Sequence, residues 1–229
     1  LIHAPLPARQ SEGILGGSFN TISGNSSYST IIGGNLNLIS GAFNSSIIGS
    51  TECSISGVSG GHLSVIIAST QSWVDNTISN ANNSTHISTQ RASIKENSDY
   101  SIIMANSHGQ IIDSSGRCFI IGGHTNPAAK NTIEGVSANA GIIGAGTSNI
   151  NFRTRNSLIL GGSHHTISGD VSVDGNGAIV GGSGNTINSS ITRSVVLGGK
   201  GITASVNDTV YVPNLNIGTV GVGTSIFNL

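Results

Sequence analysis

Two adjacent apolar residues followed by small ones recur along this chain every 16 to 22 positions. The pattern reads Ile14-Leu15-Gly16-Gly17, Ile31-Ile32-Gly33-Gly34 and Ile47-Ile48-Gly49-Ser50. It continues through Ile66-Ile67, Ile102-Ile103, Ile120-Ile121-Gly122-Gly123 and Ile142-Ile143-Gly144-Ala145. It closes with Ile159-Leu160-Gly161-Gly162, Ile179-Val180-Gly181-Gly182 and Val196-Leu197-Gly198-Gly199. Self-similarity at such a period predicts a stacked repeat, in which each unit buries its apolar face only against its neighbours.

A further branched apolar residue usually stands seven positions after the second member of the pair. The matches are Leu15 to Ile22, Ile32 to Ile39, Ile48 to Ile55, Ile67 to Val74, Ile143 to Ile150, Leu160 to Ile167 and Val180 to Ile187. A degenerate unit pairs Ile87 with Ile94, with His86 in the first position of its pair. Ile103 meets Gln110 with Ile111 beside it, and Ile121 meets Ile133 only after an insertion around Asn126-Pro127. This spacing predicts about eleven rungs, each of two short β-branched strands joined by Gly/Ser/Asn turns. Asn20, Asn37, Asn76, Asn131 and Asn185 stand two residues before a second-strand apolar position, with Cys53, Ser148 and His165 in the same slot elsewhere. Asn tolerates left-handed backbone and bonds its own turn, so the slot reads as turn chemistry.

Neighbouring side chains of a strand point to opposite faces, so a lone stack needs only one apolar residue per strand centre. Both members of the pair are apolar in ten of eleven rungs. The second face is therefore expected to be covered, most simply by further copies of the chain. A stripe meeting itself on a common axis suggests three chains. The alternative is a wide single-chain β-helix whose loops cover that face.

Composition narrows the function classes. Charged residues make up 8% and aromatics 4% of the 229 residues, and nine basic residues face ten acidic ones with no basic run. Nucleic-acid binding through phosphates thus has no electrostatic footprint. No segment approaches the 18 consecutive apolar residues of a membrane span. Three zones are expected: a connector at 1–13, the repeat stack at 14–206, and an extended segment at 207–229 interrupted by Pro213.

The repeat S-x-I-I-G-G-x-x-N-x-I-S-G, clearest at 29–41, 157–169 and 177–188, resembles the head repeats of trimeric autotransporter adhesins. It resembles still more the related repeats of bacteriophage tail fibres and tailspikes. The segment Asp208-Thr209-Val210-Tyr211-Val212-Pro213-Asn214-Leu215 is similar to the stretch that leads, in many fibre proteins, to a C-terminal chaperone domain. The rungs here are longer than the 14–15 residues usual in adhesin heads, and they lack the Ala-Ile-Gly those heads prefer. The resemblance implies a left-handed parallel β-roll associating side by side as a homotrimer. It also implies a structural or receptor-binding role on a virion or cell surface, with other tail proteins and a host glycan or protein as partners.

On that reading the interface and core residues are Ile14, Leu15, Ile31, Ile32, Ile47, Ile48, Ile120, Ile121, Ile142, Ile143, Ile159, Leu160, Ile179, Val180, Val196 and Leu197. Recognition is expected on irregular loops near 70–115 and 124–140, with Trp73, Asp75, Asp99 and Tyr100 as candidate receptor contacts. The same stretch, with Asp75, Glu96, Asp99 and Asp113, carries the runner-up reading of a polysaccharide depolymerase, which needs two carboxylates held across one bond. A third reading, an ice-binding solenoid, wants regular Thr rows, and Thr looks scattered.

No catalytic triad or phosphate loop is present, since the Gly-Gly motifs precede turns rather than helices, and no cofactor is expected. His86 at a presumed interface offers a three-fold ring for an ion. His164-His165 is expected to be an exposed pair. Cys53 and Cys118 read as small buried hydrophobes.

Overall fold

A computed structural model describes residues 11–57, 63–67, 76–87, 89–123, 130–170 and 176–214. Within them the chain is all β, with no helix, and forms a parallel β-solenoid. One sheet has twelve strands, from Gly13–Leu15 to Val210–Tyr211; the other has eleven, from Thr21–Ser23 to Thr203–Ala204. Successive strands alternate between the two sheets, and every ladder within a sheet is parallel. At about 4.8 Å between rungs, the stack is a rod roughly 50 Å long.

The strands are two to four residues long, and each of those in the stack below gives one inward residue to a central core column. In the first sheet that residue is Ile14, Ile31, Ile47, Ile66, His86, Ile103, Ile120, Ile142, Ile159, Ile179 and Val196 in successive rungs. The second sheet answers with Ile22, Ile39, Ile55, Ile78, Ile94, Ile111, Ile133, Ile150, Ile167, Ile187 and Ala204. Apart from the partly buried Ile14, all of these are essentially inaccessible, so the core is two facing columns of one side chain per strand. At about 1.5–3 kcal/mol per buried aliphatic side chain, these columns supply most of the cohesion.

Three details differ from the sequence reading. In the rung at 102 the buried residue is Ile103 and its outward neighbour is Met104, so Ile111 then falls at the regular spacing of seven. Val74 lies outside the described residues, and Ile78 holds the core position of its rung, between Ile55 and Ile94. The stack also continues past 206. Val210 and Tyr211 pair with Val195 and Val196, and the Tyr211 hydroxyl accepts from the Ser205 and Val206 amides, both at 2.8 Å. The partly buried Tyr211 ring packs against the core column.

Buried polar ladders hold the turns. The Asn37 amide donates to the Ser50 carbonyl at 2.6 Å, while its Oδ1 accepts the Cys53 N–H at 3.1 Å. Asn185 repeats the scheme on Gly198 and Ile202, and Asn131 on Ala145 and Ser148. The Asn slot therefore clamps the next rung more than its own turn, where the bonds from Asn20 and Asn185 are 3.4 Å long. None of the five slot residues has positive φ, so left-handed tolerance is not why Asn is there. At the other edge Ser29, Ser84 and Ser101 hydroxyls accept from the following rung's Ser45, Ser101 and Cys118 amides. In these turns the buried donor of one rung meets the acceptor of the next, so the ladder propagates along the stack.

Candidate functional site

The residues on either side of each inward position point outward and form two columns on each sheet. On the first sheet the column after the core residue reads Leu15, Ile32, Ile48, Ile67, Ile87, Met104, Ile121, Ile143, Leu160, Val180 and Leu197. It is apolar in every rung. Leu15 is 69% exposed, and Ile32, Leu160 and Leu197 about 40%. The pairs singled out in the sequence thus divide: their first members belong to the rod's own core, and their second members form a surface stripe. In the rung at 102 that division falls on Ile103 and Met104.

The column before the core residue changes character along the rod. It begins Gly13, Thr30, Ser46, Val65, Thr85 and ends Ile102, Phe119, Gly141, Leu158, Ala178, Val195, Val210. The Phe119 ring lies over Gly141, where any Cβ would meet it. This widening of the apolar face toward the C-terminal half was missed in sequence, although one residue before each core position was the place to look for it.

Of the four candidate receptor contacts, the structure describes Asp99 and Tyr100. Trp73 and Asp75 lie outside the described residues. Tyr100 is exposed in a turn with φ 57°, and beside it Asp99 accepts the Asn82 N–H at 2.6 Å, which ties it to the neighbouring rung. Glu96 and Asp113 do meet, on successive rungs at the corner that follows the second-sheet strands. A side-chain hydrogen bond from Asp113 raises the Glu96 pKa above the ordinary carboxylate value, and repulsion between the two charges adds to it.

The histidines differ from expectation. His86 is fully buried inside its own rod, between Ile66 and Ile103, so three copies cannot present it on a shared axis. Neither ring nitrogen has a hydrogen-bond partner, and burial pushes its pKa down to about 3. His165 is also buried. It occupies the Asn slot, and its Nδ1 accepts the Asn185 N–H at 3.2 Å, while His164 faces solvent. Burial lowers the His165 pKa as well. His108 is a mostly buried turn residue with φ 72°. Cys53 and Cys118 are free thiols at 1% exposure, in the Asn and Ser ladders respectively, and burial raises the Cys118 pKa to about 11. Among the described residues no three His, Cys, Asp or Glu side chains gather as metal ligands.

The surface most able to bind is therefore the apolar stripe, which is continuous, rigidly spaced and carried by strands rather than loops. No family model matches the chain, and no curated protein matches it.

Proposed function

We propose that the chain is the shaft of a homotrimeric surface fibre of the bacteriophage tail-fibre type. Three left-handed β-rolls would lie side by side along their apolar stripes, and the turns would serve host attachment. The observation that carries this reading is the outward column from Leu15 to Leu197, apolar in every rung. Soluble monomers rarely expose contiguous apolar patches of more than a few hundred Å². A stripe running the length of a rod roughly 50 Å long has the form of an interface between rods.

Three chains fit the stripe better than two. The fully apolar column is one residue wide, and over the first five rungs the column beside it is glycine or hydroxyl-bearing except at Val65. A narrow ridge on each rod is covered from both sides when three ridges converge on an axis. Two flat faces meeting would instead bury Thr30, Ser46 and Thr85 against a partner. Bundled this way, the backbone ladders along each rod and the stripes between rods resist bending and pulling together, which suits a shaft that transmits attachment to a particle or cell. A cell-surface adhesin uses the same geometry with a different anchor.

The deciding experiment is static light scattering of the purified chain. Three times 23.1 kDa is expected. A monomer overturns the assembly and with it the fibre reading, and a dimer overturns the three-fold arrangement.

A further inference from the structure

The corner that follows each second-sheet strand holds Gly24, Gly41, Gly57, Asn80, Glu96, Asp113, Gly135, Phe152 and Gly169 in successive rungs. Phe152 is the only aromatic residue in this run, and its position is costly. Its φ is 52°, a left-handed conformation that glycine adopts freely at 135 and that costs a side-chain-bearing residue about 1–2 kcal/mol. The ring does not repay that cost through the core, because Phe152 is 64% exposed.

The rungs on either side are bare, and they have to be. A Cβ on Gly135 would stand 2.8 Å from the Phe152 nitrogen, and one on Gly169 would run into the Phe152 carbonyl and 2.8 Å from the Arg153 carbonyl carbon. The ring therefore projects from a gap one rung deep on each side. The depression measures about 570 Å³, within the range of small-ligand pockets, and has Val136 as a second apolar wall. Arg153, Ser168, Asp170 and Asn188 bring donors and acceptors to its rim.

We infer that this corner is a subsite for one pyranose unit of a neutral glycan. A pyranose has an apolar C–H face that stacks on an aromatic ring and a rim of hydroxyls that both donate and accept. Phe152 with Val136 meets the face, and Arg153, Asp170 and Asn188 meet the rim. A purely apolar ligand would match Phe152 and Val136 but make no use of the polar side chains at the rim. An anionic ligand would face the Asp170 carboxylate beside the one guanidinium. The inference takes its biological sense from the attachment role proposed above. It does not depend on chain number, because Ser168 and Asn188 place the depression on the second sheet's side, away from the stripe.

The test is saturation-transfer NMR on the wild-type chain with cellobiose, maltose, lactose and diacetylchitobiose as probes, with molecular mass measured on the same samples. Transfer to the ring protons of at least one sugar is expected. It should fall at least fivefold in Phe152→Ala and weaken in Asp170→Asn. Tyr28→Ala, which removes another exposed aromatic at a left-handed turn position, should leave it unchanged. Absence of transfer from all four sugars overturns the inference, as does transfer that survives Phe152→Ala. A loss of trimer mass with sugar transfer intact would count against the fibre reading alone.

Discussion

The two outward faces of this rod stand on nearly identical scaffolds and differ almost completely in chemistry. Both sheets bury a column of branched aliphatic residues, broken at His86 in one and ending on Ala204 in the other, both stack in parallel register, and both are flanked by buried amide and hydroxyl ladders. Outside the first sheet stands the apolar column from Leu15 to Leu197. Outside the second, the column before the core residue reads Thr21, Leu38, Ser54, Thr77, Ser93, Gln110, Thr132, Asn149, Thr166, Thr186 and Thr203. Folding dictates the inward column of a strand and leaves the outward column nearly free. A difference confined to outward columns is therefore not a demand of the fold, and the assembly proposed above accounts for it by covering only the apolar face.

The strongest way to break this comparison is to make the faces alike. Ile48→Lys with Leu160→Lys places a charge on the stripe in each half of the rod. Burying it in all three copies is prohibitive, since unpaired charges are not buried. Light scattering should then fall from three chain masses to one, with the β-sheet circular dichroism retained because both side chains lie outside the core. The matched pair on the other face, Ser40→Lys with Thr166→Lys, should leave the mass unchanged. If both pairs behave alike, the stripe is not an interface.

His86 sharpens the comparison from inside, as the polar interruption in a column that is aliphatic from Ile14 to Val196. Its folded pKa is about 3 and its unfolded value about 6.5. Between these the unfolded chain binds more protons, so stability is level above pH 6.5 and declines as pH falls toward 3. At pH 4.5 the loss from this group is about 3 kcal/mol per chain. His86→Ile should remove that part of the pH dependence. It should also raise Tm at pH 7.5, because two unpartnered ring nitrogens leave the core. Thermal unfolding from pH 7.5 to 4.5 checks both. A wild-type and variant that respond to acid identically would mean that His86 is hydrated or paired in solution.

Much of this architecture is legible in the sequence. The period, the inward column and the turn positions follow from Ile, Gly and Asn recurring at fixed offsets. What is lost is whatever depends on the neighbouring rung. Ile102-Ile103-Met104 is apolar throughout, so only pairing with Phe119-Ile120-Ile121 decides that Ile103 turns inward. Residues that look scattered along the chain, such as Thr21, Thr77, Thr132 and Thr166, stand in one column for the same reason. That column is still interrupted by Leu38, Gln110 and Asn149, so it falls short of a regular hydroxyl lattice. The corner at Phe152 is the extreme case. Gly135, Phe152 and Gly169 lie 17 residues apart, and no local window contains the depression they form.

The smallest effects lie in the turns that join the two faces, and they differ within a single dipeptide. Gly33 has φ 66° and open space where a Cβ would go, whereas Gly34 has φ 80° and a Cβ position that overlaps the Ser50 carbonyl and comes within 2.6 Å of Asn37 Nδ2. Gly33→Ala therefore pays only for the left-handed backbone, about 1 kcal/mol. Gly34→Ala also pushes apart two rungs and displaces the Asn37 amide from its 2.6 Å bond to Ser50. A buried polar group left unmatched adds about 1–3 kcal/mol. Denaturant unfolding should rank the variants Gly33→Ala above Gly34→Ala in stability. The same order should hold for Gly181→Ala above Gly182→Ala, where a Cβ on the second glycine meets the Gly199 carbonyl and Asn185 in the same way. Equal costs at both members would mean that the turns breathe enough to admit a methyl, and that the Asn ladder rather than close backbone contact sets the rung spacing on which both faces depend.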